Sequence, residues 1–158
     1  MVQRFDRLDD VWPAGLGRRL GAMVYDGLLV LAIWIALAAG HVLVSRLLLD
    51  MPAAQLGVGV VQVASLRVLL LCGAFVFFAF FWMRGGMTLG MQAWRLRVQT
   101  TDGRAINLRQ SLVRYLVGAL SWAACGLGHL WVLFDSERRS WADIVSGTQV
   151  VVVPKAGT

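Results

Sequence analysis

Three stretches of the chain are apolar enough and long enough to lie in lipid, and the polar residues between them predict how it folds. The first runs from residue 21 to 44 and is interrupted only by Asp26 and His41. At 1.5 Å per residue, about 20 residues cross the hydrocarbon core, so this length predicts a spanning helix. A second candidate runs over residues 57–83. Its uninterrupted part, Val68 to Met83, carries no charge, and Gln62, Ser65 and Arg67 fall in its first turns. Arg67 at that edge reads as a side chain snorkelling to the interface. The aromatic cluster Phe75, Phe77, Phe78, Phe80, Phe81 and Trp82 ends at the other edge, where Trp commonly anchors. The third apolar run is 112–134, with Gly118, Gly126 and Gly128 inside it. Its length favours one full crossing, whereas Gly126-Leu127-Gly128 would allow a break into a re-entrant pair. Irregular backbone of that kind survives at membrane depth only where protein or water covers it.

The segments between these runs have their own patterns. Residues 1–20 form a basic N-terminal lead-in in which Arg4 and Arg7 alternate with Asp6, Asp9 and Asp10, before Pro13 and Gly15-Leu16-Gly17. It reads as solvated, with a fold-back of Asp9 or Asp10 onto an arginine of the core as the alternative. Ala36-Leu37-Ala38 has the small-residue form of a signal-peptidase site, but the apolar sequence around it is long and continues beyond, so an uncleaved anchor is expected. In residues 84–110, Arg84-Gly85-Gly86-Met87 breaks the helix and Thr88 is placed to cap a short one. Residues Trp94 to Thr100 alternate apolar and polar, which is a strand signature. Asp102-Gly103 signals a turn, and Ala105-Ile106 could pair back as a small hairpin. Asn107 with Gln110 forms a capping-box pattern. After the third run, Trp141 to Ser146 predicts a short helix ended by Gly147, and Gln149 to Val153 a strand. Residues 154–158 are a tail. The fold class is therefore an all-α membrane protein of three hydrophobic helical segments, the third a crossing or re-entrant, with a small cytoplasmic hairpin-containing loop.

Composition agrees and adds orientation. Of 158 residues 58% are apolar, and the formal net charge is +6, carried almost wholly by arginine. The arginines flank the apolar runs instead of clustering on a polar face, which excludes nucleic acid as the expected partner and points to a lipid bilayer. Arg4, Arg7, Arg18 and Arg19 lie before the first run. Arg84, Arg95, Arg97, Arg104, Arg109 and Arg114 follow the second, and only Arg46 and Arg67 lie between. Ten against two places the N-terminus and residues 84–114 in the cytoplasm. Cys72 and Cys125 sit inside apolar runs without paired spacing and read as packing residues, not a disulfide or metal site.

The candidate chemistry lies at the foot of the first run. Asp26 is a carboxylate in a segment otherwise fit for lipid, where an ionised group needs a partner. Arg19, seven residues earlier, returns to nearly the same helix face about 10 Å away, within reach of a long side chain. Farther on, Arg139 and Asp143 are an i, i+4 pair, of little weight by itself. No Gly-rich phosphate loop after a strand, metal-ligand spacing or nucleophile elbow is present, so neither an enzyme nor a cofactor is expected.

These residues carry a resemblance. Arg19 to Asp26 in Arg-Arg-Leu-Gly-Ala-Met-Val-Tyr-Asp, and Asp143 in Arg-Arg-Ser-Trp-Ala-Asp-Ile-Val-Ser-Gly-Thr, resemble the arginine and two aspartates for which the RDD family of small bacterial membrane proteins is named. Gly86-Met87-Thr88-Leu89-Gly90, Leu96-Arg97-Val98, Asp102-Gly103 and Leu112-Val113-Arg114 are similar to the family's middle section. Trp141-Ala142 is a bulkier approach to the aspartate than the family usually has. The resemblance runs from about residue 14 to 153. It implies a multi-pass protein of the bacterial inner membrane, N-terminus inside, in which Arg19, Asp26 and Asp143 form one site. It also implies transport as the activity, with cation/proton exchange in some members.

If the three residues meet, one cation is balanced by two carboxylates, and two nearby carboxylates raise one pKa, as a proton-coupled cation site requires. Two functions follow. One is a small transporter of a monovalent cation or proton, a homo-oligomer because three spans rarely enclose a path alone. The other is a non-transporting membrane scaffold or assembly partner, with the cluster as a structural clamp. A meeting of Asp143 with Arg19 would also need Asp143 at the cytoplasmic foot of the first helix, which conflicts with the full crossing that length favours.

Overall fold

The computed structural model describes residue 5 and residues 11–154. The fold-back of Asp9 or Asp10, the alternative to a solvated lead-in, and most of the tail lie outside the described residues. In chain order the elements are β1 (Trp12–Pro13), α1 (Leu16–Leu47), α2 (Val60–Arg84), α3 (Leu89–Ala93), β2 (Leu96–Thr100), α4 (Leu108–Ala123), α5 (Leu127–Leu130), α6 (Trp141–Ser146) and β3 (Thr148–Val152). Short 3-10 turns cover Ala53–Gln55 and Trp131–Leu133. Two helices, α1 and α2, are long and apolar enough to cross a membrane, and α4 with Leu127–Leu133 makes a third candidate. The chain divides into two compact units: Gly27–Phe77, and Met1–Asp26 together with Phe78–Thr158.

In the unit Gly27–Phe77, the two long helices are joined by polar ties set among apolar contacts. Trp34 Nε1 donates to the Leu70 carbonyl at 2.9 Å, His41 Nε2 meets Ser65 Oγ at 2.9 Å, and Gln62 Nε2 donates to Ser45 Oγ at 3.3 Å. Such bonds hold apolar helices together where the surroundings offer no competing water. Arg67 is exposed, as a snorkelling side chain requires.

The other unit is built on a three-stranded antiparallel sheet in the order β1-β3-β2. β2 is the expected strand and the Asp102-Gly103 turn forms, with Thr100 and Arg104 bonded across it at 2.9 Å. The hairpin onto Ala105-Ile106 does not form. The partner of β2 is β3, in register from Leu96 opposite Val152 to Thr100 opposite Thr148. A Val-rich strand offers a longer ladder and more apolar surface than two residues after a tight turn, so the distant pairing prevails. One face of this sheet, with Leu96, Val98, Val150 and Val152, packs on Ala14, Ala22, Met91 and Ile106 as the core, with Trp82 and Met87 against it.

The short helices start where their caps predict. Thr88 accepts from the Met91 amide, and both Asn107/Gln110 and Ser140/Asp143 are complete capping boxes. Gly147 ends α6 in the left-handed conformation.

The single straight crossing that length favours for the third run is absent. α4 stops at Ala123, and α4 and Leu127–Leu133 are bent by 108°. Cys125 at φ +55 and Gly126 at φ +81 make the break, and the second of these is a conformation glycine adopts without steric cost. The chain then doubles back along α4. Ser121 Oγ meets His129 Nδ1 at 2.5 Å, Arg114 meets Asp143, and Gln110 Nε2 donates to the Ser146 carbonyl at 3.4 Å. This is the geometry of the re-entrant alternative: the chain leaves α4 at its C-terminal end and returns alongside it to its N-terminal end. Trp141, the bulky approach to Asp143, fits because Gly128 faces it; a Cβ at Gly128 would lie 2.7 Å from its ring.

Candidate functional site

The three residues expected to form one cluster form two. Arg19 stands in the first turn of α1 and is 6% exposed, and Asp143 stands in the first turn of α6, wholly buried. Arg19 Nη1 donates to Asp143 Oδ2 at 2.6 Å, Nε to the Ala14 carbonyl at 3.0 Å, and Nη2 to the Arg138 carbonyl at 2.8 Å. Every guanidinium nitrogen of Arg19 is thus used to hold three separate segments.

Asp143 has a second arginine that sequence reasoning placed among the loop cations. Arg114 of α4, 7% exposed, donates from Nη1 to Asp143 Oδ1 and to Thr148 Oγ1, both at 2.5 Å. Its guanidinium also lies over the Trp82 ring, 5.3 Å from the centroid. The signal was available: Arg114 stands almost two turns into an apolar helix, where an ionised group needs a partner, the same argument that singles out Asp26. The Ser140 amide donates to Asp143 Oδ2 at 2.9 Å, which completes the carboxylate's shell. Arg139 does not pair with Asp143; it bonds Asp135 at 3.1 Å and Glu137 at 3.1 Å, leaving Asp143 to the two buried arginines.

Asp26 does not reach Arg19. Oδ2 accepts from Thr88 Oγ1 at 2.5 Å and Oδ1 accepts from the Gly90 amide at 2.9 Å, so the carboxylate caps the start of α3 from the side of α1. Among the described residues no basic side chain lies within ion-pair distance of it. Seven residues put Arg19 and Asp26 on one face, but each finds a nearer partner on another segment.

The electrostatics of Asp143 follow from this geometry. Burial alone would raise its pKa, but the Arg114 and Arg19 charges and the Ser140 amide outweigh burial and hold it at about 2. A carboxylate depressed from 3.8 to about 2 contributes stability that is present above pH 3.8 and is lost as pH falls through 2. At 1.36 kcal/mol per unit the difference is about 2 kcal/mol. The unfolding midpoint in detergent is therefore expected to fall as pH drops from 4 towards 2. An Asp143 variant should lose that part of the acid sensitivity.

A family model for the RDD family matches residues 13–147, most of the chain and every charged residue of both clusters. The chain belongs to the RDD family. No curated protein and no solved structure matches it. In this RDD protein Arg19 and Asp143 are joined with Arg114, and Asp26 is held apart by Thr88 and Gly90. Two arginines and one carboxylate leave the larger cluster with one positive charge, the reverse of the surplus expected from one arginine and two aspartates. Among the described residues no group of three or more His, Cys, Asp or Glu side chains could hold a metal ion.

Proposed function

We propose that this RDD protein is a non-transporting membrane scaffold or assembly partner in which Arg19, Asp143 and Arg114 act as a structural clamp. The observation that carries this reading is that both oxygens of Asp143 are taken by buried protein donors. A cation would have to displace two guanidiniums to reach it. Asp26 supports the same role, since both its oxygens are engaged in capping α3. Buried ion clusters of this kind are weak contributors to net stability but are strongly destabilising to break, as a clamp requires.

On this reading the protein lies in the bacterial inner membrane as a multi-pass protein with its N-terminus in the cytoplasm. The basic residues before α1 and between α2 and α4 support that orientation. The bonds from Arg19 to Asp143 and to the Arg138 carbonyl bring Arg138 and Arg139 to the foot of α1, so they join the same basic side.

One observation favours the transport reading. Asp26 is a buried carboxylate held by neutral donors alone, a setting in which a proton can be exchanged without breaking an ion pair. On that reading a homo-oligomer carries a monovalent cation or proton past Asp26. The two readings differ in proteoliposomes under imposed sodium, potassium and proton gradients. A clamp gives flux equal to protein-free vesicles, and Asp26→Asn lowers thermal stability. Flux in the wild type that disappears in Asp26→Asn, with the unfolding midpoint unchanged, would establish transport instead.

A further inference from the structure

The sheet's second face carries a feature that neither cluster uses. Arg97 and Gln99 lie two residues apart on β2 and so share the face opposite the Leu96 and Val98 core. Gln99 has no exposed surface. Arg97 Nε donates to Gln99 Oε1 at 3.0 Å, which fixes the amide with its oxygen towards the arginine. Arg97 Nη2 and Gln99 Nε2 are both buried and have no hydrogen-bond partner. Nε and Nη2 form one edge of a guanidinium, the edge that binds carboxylate or phosphate oxygens in pairs. Here that edge faces Gln99, so two unfilled donors stand beside one bond. Leaving two buried donors unmade is costly.

The site is built rather than incidental. The Phe5 ring lies under the guanidinium, 4.1 Å from the centroid to Cζ, and fixes its plane. A Cβ at Gly86 would lie 2.9 Å from Arg97 Cγ, so the absence of a side chain there leaves Arg97 its course across the strand. Among the described residues no carboxylate lies within ion-pair distance of Arg97. Burial also weakens its hold on its proton.

We propose that Arg97 and Gln99 form a binding site for a phosphate-type oxyanion. One oxygen accepts from Arg97 Nη2 and Gln99 Nε2, and its charge offsets that of the guanidinium. The oxyanion comes either from an anionic lipid headgroup or from a free phosphate compound.

The test uses the full chain and reads the thermal unfolding midpoint. Inorganic phosphate is titrated against sodium chloride of equal ionic strength in neutral detergent. In parallel, nanodiscs of phosphatidylcholine are compared with nanodiscs containing phosphatidylglycerol. A rise with phosphate assigns the free compound, and a rise only with phosphatidylglycerol assigns the headgroup; either supports the site. Arg97→Gln should raise the half-saturating anion concentration by about tenfold or more. Gln99→Glu supplies the missing anion internally, so it should have a higher midpoint than wild type without phosphate and lose the response. The proposal is overturned if neither anion raises the wild-type midpoint, or if both variants respond as the wild type does.

Discussion

Asp143→Ala is expected to cost about 3–5 kcal/mol, more than any other single carboxylate change in the protein. The variant strands two guanidiniums at once, because Arg19 and Arg114 are both largely buried and share this one counter-ion. Hydrogen bonds to Ala14, Arg138 and Thr148 would remain, but none of them carries charge. Asp143 also belongs to the capping box of α6, and capping alone is worth about 1 kcal/mol. Asp143→Asn separates the two contributions. It preserves an acceptor for the cap, yet it removes the charge and sets an amide or oxygen where two cations converge. If charge dominates, Asn should be nearly as damaging as Ala; if capping dominates, Asn should be close to wild type. Chemical or thermal unfolding in detergent, with the amount of protein recovered from the membrane, reads the difference.

Gly90→Ala is expected to have the second-largest effect, about 2–4 kcal/mol, from steric conflict and a lost bond to a carboxylate. A Cβ on Gly90 would lie 2.4 Å from the Ala22 carbonyl oxygen and 2.9 Å from Asp26 Cγ. The first contact is backbone of α1, which cannot swing aside as a side chain could. Relief requires α3 to move off α1, and that movement breaks the bond from the Gly90 amide to Asp26. Gly118→Ala is the matched control. It lies in the interior of α4 with nothing within 4 Å of a new Cβ, so alanine should be neutral or slightly stabilising by helix propensity. Thermal unfolding of the two variants side by side measures close approach at Gly90 against propensity at Gly118.

What could be read from the chain divides along physical lines. Local signals were legible because their partners lie within four residues: Thr88, Asn107 with Gln110 and Gly147 all act as their positions indicate. Apolar runs were legible because length and hydropathy alone decide whether a helix can lie in lipid. Partners far apart in the chain were not. The strand at Leu96–Thr100 was evident, but its pairing with Thr148–Val152 depends on tertiary contact that no spacing rule carries. Arg19 and Asp26 met the face criterion, yet a shared face does not choose between a neighbour on the same helix and one from another segment. Arg114 was counted among the cytoplasmic cations although it is buried at the centre of the clamp. The break at Gly126 is legible in Gly126-Leu127-Gly128 as an alternative, but length alone favours a full crossing, and only the folded chain puts Gly126 at φ +81.

The central claim is that Asp143 holds the fold through its two arginines, and a double-mutant cycle on Arg114 and Asp143 tests it most directly. Unfolding free energies are measured for the wild type, Arg114→Met, Asp143→Leu and the double variant. A clamp requires that each single change be strongly destabilising and that the double change cost less than the two together, by about 2 kcal/mol or more. Strict additivity, with a stable Asp143→Leu protein, would contradict a structural clamp and return the cluster to a role in binding.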